Sequence, residues 1–249
     1  MSKEISRLIV IILLAGITGC VTLYNPVSQR KEYYVTNEKG EIEWGISMAN
    51  QFIQGKPLLR NSLLLAYVEK IGGRLGSVSH RNYLKYRFYI IDEPIVNAFA
   101  VPGGFIFIYR GLLDKLDENE LAFVLAHEIG HICARHGLKR LGASVGTVVL
   151  GEALLRKPNQ KDAKELVYKL FNLVSLGYSR SDELQADALA FEYTHKAGYD
   201  PTAGIRVFEL FKRIEKSQAQ VPIYLRTHPY PDARIGQIQR KLKEDNKSE

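Results

Sequence analysis

The alternation of apolar and polar positions divides the chain into unlike stretches. Residues 8–17 (LIVIILLAGI) are almost purely apolar, but ten residues are too few for a spanning helix, which needs about 20. Residues 21–60 show no long period and are broken at Lys56-Pro57, the pattern of a tether and an N-terminal wrap. From Asn61 onward Leu63, Leu64, Tyr67, Val68, Ile71 and Leu75 recur at helical spacing. Tyr86–Ile91 (YRFYII) and Phe105–Tyr109 (FIFIY) read as strands, and Pro102-Gly103-Gly104 before the second predicts a hairpin or meander. Asp117 with Glu120 three residues on forms a capping box. It opens a helix expected to run through Leu121, Val124, Leu125, Glu128, Ile129 and Ile132 to about His136, with Gly137 as its stop.

Farther on, Leu141 to Leu155 is apolar and rich in small residues, a packed or interfacial helix. A polar break follows from Arg156 to Lys164. Helices are expected from Ala163 to Leu176, from Ser181 to Ala197 and from Asp200-Pro201, then a Pro-rich loop from Leu225 to Arg234 and a polar tail from Lys241 to Glu249. No internal repeat is present. The sum is an α+β, mostly helical domain over residues 60–240 with a small β-sheet.

Composition adds bounds. The 249 residues are 46% hydrophobic and 24% charged, which excludes a disordered chain, a collagen-like repeat and a polytopic membrane protein. The N-terminus is more specific. Lys3 and Arg7 precede the apolar run, and Ile17-Thr18-Gly19-Cys20 follows it. This ending resembles the lipobox of bacterial lipoproteins, with an ordinary cleaved signal, or a short buried helix with a stray cysteine, as the alternative. The resemblance implies a signal peptide over residues 1–19, acylation of Cys20 and a tether over residues 20–59. Val21, in place of the Asp typical of inner-membrane retention, implies outer-membrane sorting, facing the periplasm, in a Gram-negative host. Dual acylation gives stable anchoring. Cys133 is then the only other cysteine, so no intramolecular disulfide forms, and it reads as a small buried hydrophobe. Losing residues 1–19 takes two of the 34 basic and one of the 27 acidic residues, so +7 becomes +6. No basic run or nucleic-acid motif accompanies that charge.

The chemistry concentrates in His127-Glu128-Ile129-Gly130-His131, in the middle of the capped helix. Residues four apart share a helical face, so both imidazoles reach one metal ion, and the adjacent Glu128 reaches a water on it. The string sits in an apolar stretch (LAFVLAHEIGHIC), where an imidazole needs a partner. The metal expected is zinc, one ion per subunit, with three protein ligands and an open position. Glu183, in Ser179-Arg180-Ser181-Asp182-Glu183-Leu184-Gln185-Ala186-Asp187, is the best third ligand. Asp187, four residues on, accepts the second ring N–H of a ligand histidine. His136 lies five beyond His131 and is expected to point away from the two-histidine face. His80 and His195 read as surface residues.

HEIGH with a downstream E-x-x-x-D resembles the gluzincin metalloproteases. Asn97-Ala98-Phe99-Ala100-Val101-Pro102-Gly103-Gly104, HEIGHICARHG, the Ser179–Asp187 string and His228-Pro229 with Arg234 narrow the resemblance to the minigluzincins of HtpX, Oma, BepA and LoiP type. It covers about residues 60–240. A lipobox with a bare protease domain is closest in layout to the LoiP-like lipoproteins, since no C-terminal helical-repeat domain and no transmembrane helices are evident. The resemblance implies a zincin-type fold, zinc on His127, His131 and Glu183, and Glu128 as general base and later acid. It implies that the strand from Asn97 through Ala98, Phe99 and Ala100 pairs with an extended substrate. It places His228 near the metal, as oxyanion donor or as a fourth ligand that shuts the site, and gives Arg234 the support of the oxyanion or of that loop. Without it, a loop histidine and a surface arginine remain the alternative.

The function expected is a lipid-anchored zinc endopeptidase that degrades unfolded or misassembled envelope proteins, of unassigned oligomeric state. A metal-stabilised, chaperone-like lipoprotein without turnover is the alternative, disfavoured because a structural site has no use for Glu128. A small-peptide aminopeptidase lacks an acidic anchor for the substrate amine.

Overall fold

A computed structural model describes residues 21–60, 62–143, 177–217, 223–229 and 231–245. The expected signal peptide, Cys20, most of Leu141 to Leu155, the polar break at 156–164 and the helix expected at 163–176 lie outside the described residues. The elements in chain order are β1 (Val21–Asn25), β2 (Arg30–Tyr34), α1 (Glu38–Ile53), β3 (Leu58–Leu59), α2 (Leu63–Ser77), β4 (Arg87–Ile91), β5 (Ala98–Val101) and β6 (Phe105–Tyr109). They continue with α3 (Arg110–Leu113), α4 (Glu118–Cys133), α5 (Arg180–Lys196), α6 (Ala203–Ser217), α7 (Ile223–Thr227) and α8 (Pro231–Asp245). The α+β, mostly helical class expected is the one found. Among the described residues no helix is long and apolar enough to cross a membrane.

The four-stranded sheet has the order β3-β4-β6-β5, with β4 parallel to β6 and β5 antiparallel to β6. Pro-Gly-Gly does close a hairpin, but from β5 to β6, whereas the two strands expected to be joined, β4 and β6, run parallel. Gly103 and Gly104 both take positive φ in the turn (81° and 96°), which only glycine adopts without strain. β6 is buried on both faces, which explains its unbroken apolar sequence. Phe105, Phe107 and Tyr109 join Met48 and Ala49 of α1 on one side. Ile106 and Ile108 join Val68, Ile71 and Leu75 of α2 and Leu125 and Ile129 of α4 on the other. The sheet is thus a layer between α1 and the helices that carry the chemistry.

Three expectations about elements need correction. Residues 21–60 hold regular structure, a hairpin and a sixteen-residue helix, rather than an unpatterned wrap. The capped helix α4 starts where expected, with both halves of the capping box formed, but ends at Cys133 rather than His136. Ala134 caps it, Arg135 adopts a left-handed conformation (φ 56°), and residues 136–143 are helical again. Finally, the expected loop from Leu225 to Arg234 holds the end of α7 and the start of α8, which runs into the expected tail as far as Asp245. Pro231 stands first in α8, where its missing N–H costs nothing.

Candidate metal centre

α4 brings His127, Glu128 and His131 into the interior, and α5 lies directly against it carrying Glu183 and Asp187. Gly130 permits the approach: a Cβ there would sit 3.0 Å from the Ala186 carbonyl oxygen of α5. His127 Nε2 and His131 Nε2 lie 3.0 Å apart. Glu183 reaches them at 3.5 and 3.4 Å through its two oxygens. His228, just after α7, places Nδ1 3.0 Å from Glu183 Oε1 and 3.3 Å from His127 Nε2. One donor atom from each of His127, His131, Glu183 and His228 falls within 4.8 Å of the others, all buried. This all-nitrogen-and-oxygen set fits a divalent transition metal of the zinc type.

The fit has a second sign. Glu128 is fully buried, and among the described residues neither of its carboxylate oxygens has a hydrogen-bond partner. Such a carboxylate is costly to bury unless something in the site completes it. Burial pushes its pKa up, against the pull of His228 and His127. Its nearest cationic candidate, His228 Nε2, stands 3.6 Å from Oε1.

The residues behind the donors fix their orientation. His127 donates its Nδ1–H to Asp187 Oδ1 at 2.9 Å, leaving Nε2 for the metal. Asp187 in turn accepts from Arg234 Nε and Nη2, both at 2.7 Å. Arg234 also reaches Glu183 Oε2 at 2.9 Å and the His228 carbonyl at 3.1 Å. It is 1% exposed, so it is not a surface arginine; it ties α8 to α5 and to the His228 turn. Burial raises the Asp187 and Glu183 pKa values, but the nearby cations outweigh it, Arg234 foremost for Asp187 and His228 with Arg234 for Glu183, and both end lowered. His228 is likewise buried, under Tyr224, whose ring centroid lies 4.5 Å away.

β5 is the sheet edge nearest this centre, packed against α4. Ala98 and Ala100 face the α4 side, whereas Phe99 turns to the α1 side and packs on Phe52 and Phe107. Asn97, Ala98, Phe99 and Ala100 are all buried, and the Asn97 Oδ1 has no partner among the described residues.

Several residues at the centre carried no signal in the motif reading. Tyr178, just before the α5 cap, stacks on His131 at 3.9 Å. His136 is not among the four donors, but neither does it point away: its Nδ1 lies 2.8 Å from His131 Nδ1. The early end of α4 turns it back. Cys133 is buried, as expected. His195 is exposed, but His80 is half-buried, with Nδ1 2.7 Å from the Tyr193 hydroxyl.

Comparison with known proteins matches residues 62–242 to the model of peptidase family M48. The chain is 29% identical over 205 residues to the β-barrel assembly-enhancing protease of Yersinia pestis, covering 78% of this chain and 42% of that protein. It is 32% identical over 183 residues to the mitochondrial metalloendopeptidase OMA1 of Schizosaccharomyces pombe, covering 72% and 53%. To the metalloprotease YcaL of Escherichia coli it is 28% identical over 154 residues, covering 61% and 60%. The chain therefore spans about half the length of the relatives it matches.

Proposed function

The chain belongs to peptidase family M48, and from that premise we propose that it is a zinc-dependent endopeptidase, lipid-anchored in the cell envelope through Cys20, that cleaves unfolded or misassembled envelope proteins. The observation that carries the catalytic reading is Glu128, a buried carboxylate whose oxygens both lack a partner among the described residues, beside four convergent donors. The name of the Yersinia pestis relative ties that protein to β-barrel assembly, which supports an envelope substrate here. The lipobox supports the anchor and, in a Gram-negative host, an outer-membrane site facing the periplasm.

His127, His131 and Glu183 would hold the ion. When bound, zinc would supply a Lewis acid that polarises the scissile carbonyl and lowers the pKa of the attacking water to about 7. Glu128 takes the proton of the attacking water on a carboxylate oxygen and returns it to the leaving amine. Its raised pKa suits both halves of that cycle, since a group poised nearer the working pH gives up its proton as readily as it takes one. Asp187 holds His127 through Nδ1, and Arg234 holds Asp187, Glu183 and the His228 turn together. The edge of β5 pairs main chain to main chain with an extended substrate, which gives loose sequence preference.

His228 serves as a latch in this reading, a fourth ligand on a site whose donors are all at most 1% exposed. His228→Ala should then raise basal proteolysis; a fall would assign it to the oxyanion instead. The function itself is tested on the mature chain with casein and with N-terminally blocked peptides. Cleavage abolished by chelation and restored by zinc is expected. A protein that carries zinc but cleaves neither substrate would favour the non-catalytic chaperone reading. Labelled palmitate incorporated by the wild type but not by Cys20→Ala tests the anchor.

A further inference from the structure

We propose that His136 is a positioning residue that sets the tautomer of His131, and so leaves the lone pair on Nε2, the nitrogen that faces the metal site. The inference rests on the metal-centre reading above. The two metal-facing histidines are supported unequally. Behind His127 stands the carboxylate of Asp187. Behind His131 stands a second imidazole, His136, 2% exposed and 2.8 Å away, nitrogen to nitrogen. Two imidazole nitrogens at that distance share one proton, so one must donate and the other accept.

The far side of His136 settles the direction. Its Nε2 lies 2.8 Å from Gln185 Oε1 and 3.4 Å from Asp182 Oδ1. An amide oxygen only accepts, so the bond to Gln185 puts a hydrogen on His136 Nε2, and the Asp182 carboxylate beside it favours that form. The neutral ring then has its lone pair on Nδ1, which accepts from His131 Nδ1–H. His131 is left with its lone pair on Nε2, the atom 3.0 Å from His127 Nε2 and 3.4 Å from Glu183 Oε1. α5 thus serves the centre three times: Glu183 as donor, Asp187 behind His127, and Gln185 behind the residue behind His131.

The backbone has been bent to allow this. On a continuous helix, residues five apart do not face each other. Here α4 stops at Cys133 and Arg135 takes a left-handed conformation, which carries His136 back to His131. The turn is held from the N-terminal segment, outside residues 62–242. Asn25 donates to the Ala134 carbonyl, while Arg135 donates to the Tyr24 carbonyl and to Glu41.

The test uses the mature chain, freed of metal and titrated with zinc against a chromophoric chelator. Asparagine carries Oδ1 where histidine carries Nδ1, so His136→Asn keeps the acceptor and His136→Leu removes it. The expected result is a loss of zinc affinity of about 10–100-fold in His136→Leu, with His136→Asn close to wild type. A His136→Leu protein that binds zinc like wild type, or a His136→Asn as weak as His136→Leu, overturns the proposal. Should His136→Leu not fold, nitrogen-15 NMR of the wild-type rings reads the tautomer directly. His131 protonated at Nδ1 and His136 at Nε2 is expected, and His131 protonated at Nε2 in the metal-free protein overturns it. A wild type that binds no zinc would strike at the proposed function instead, and the ring spectrum would still judge the tautomer.

Discussion

Arg234→Met puts the electrostatics of the centre to a quantitative test. The guanidinium makes two hydrogen bonds to Asp187 at 2.7 Å and one contact to Glu183 at 2.9 Å, and all three side chains are at most 1% exposed. Removing one member of such a buried pair costs about 3–5 kcal/mol, because the charge left behind is uncompensated. Methionine keeps most of the aliphatic contact with Phe208, over which the guanidinium stacks at 4.3 Å, so the loss is chiefly electrostatic. We expect the metal-free variant to lose about 3–5 kcal/mol in urea unfolding. Saturating zinc should shrink that difference, since a cation on Glu183 replaces part of the missing charge. The pH dependence has a definite sign. Both carboxylates have lowered pKa values in the fold, so their stabilisation is present above the unfolded values of about 4 and lost as pH falls through the folded ones. Wild type and variant should therefore converge in acid. A loss under about 1 kcal/mol, the range of an exposed pair, or one that grows when zinc is added, would refute the reasoning.

Other outcomes follow from single groups. Burial and Arg234 push the His127 pKa down, but Asp187 and Glu183 prevail and raise it to about 9. In the metal-free protein its contribution is therefore full below about 6.5 and lost as pH rises through about 9. Zinc must displace that proton, so chelator competition should show affinity rising about tenfold per pH unit from 7 to 9; a flat profile would contradict this. Gly45→Ala should destabilise by about 1–3 kcal/mol, because a Cβ there collides with the Pro102 carbonyl oxygen. Gly73→Ala, mid-helix in α2 with open space around it, should instead stabilise by about 0.5–1 kcal/mol, and thermal melts of the pair check both.

The legible parts of this molecule were those with local causes. The start of α4 is written in Asp117 and Glu120, and its burial in the apolar run around His127. The spacing of four that joins His127 to His131 and Glu183 to Asp187 needs only helical geometry. What escaped depends on distant partners. α1 buries Glu41, Gly45, Met48 and Ala49, a face of one charge and two small residues that shows no apolar period. Glu41 belongs inside because Arg81 donates to it at 2.7 and 3.0 Å and Arg135 at 3.3 Å. The end of α4 is set by Asn25, Tyr24 and Glu41, more than ninety residues away, so Gly137 looked like a stop and His136 looked misdirected. Prolines 229 and 231 suggested a loop where one of them begins a helix.

The central claim is that Glu128 performs proton transfer at a metal-dependent peptidase centre. Metal content and casein cleavage of Glu128→Gln, beside wild type, test it most directly. The account predicts undiminished zinc, one ion per chain, with cleavage reduced by about 10²–10⁴-fold. A variant that retains its zinc and cleaves casein at the wild-type rate would contradict it.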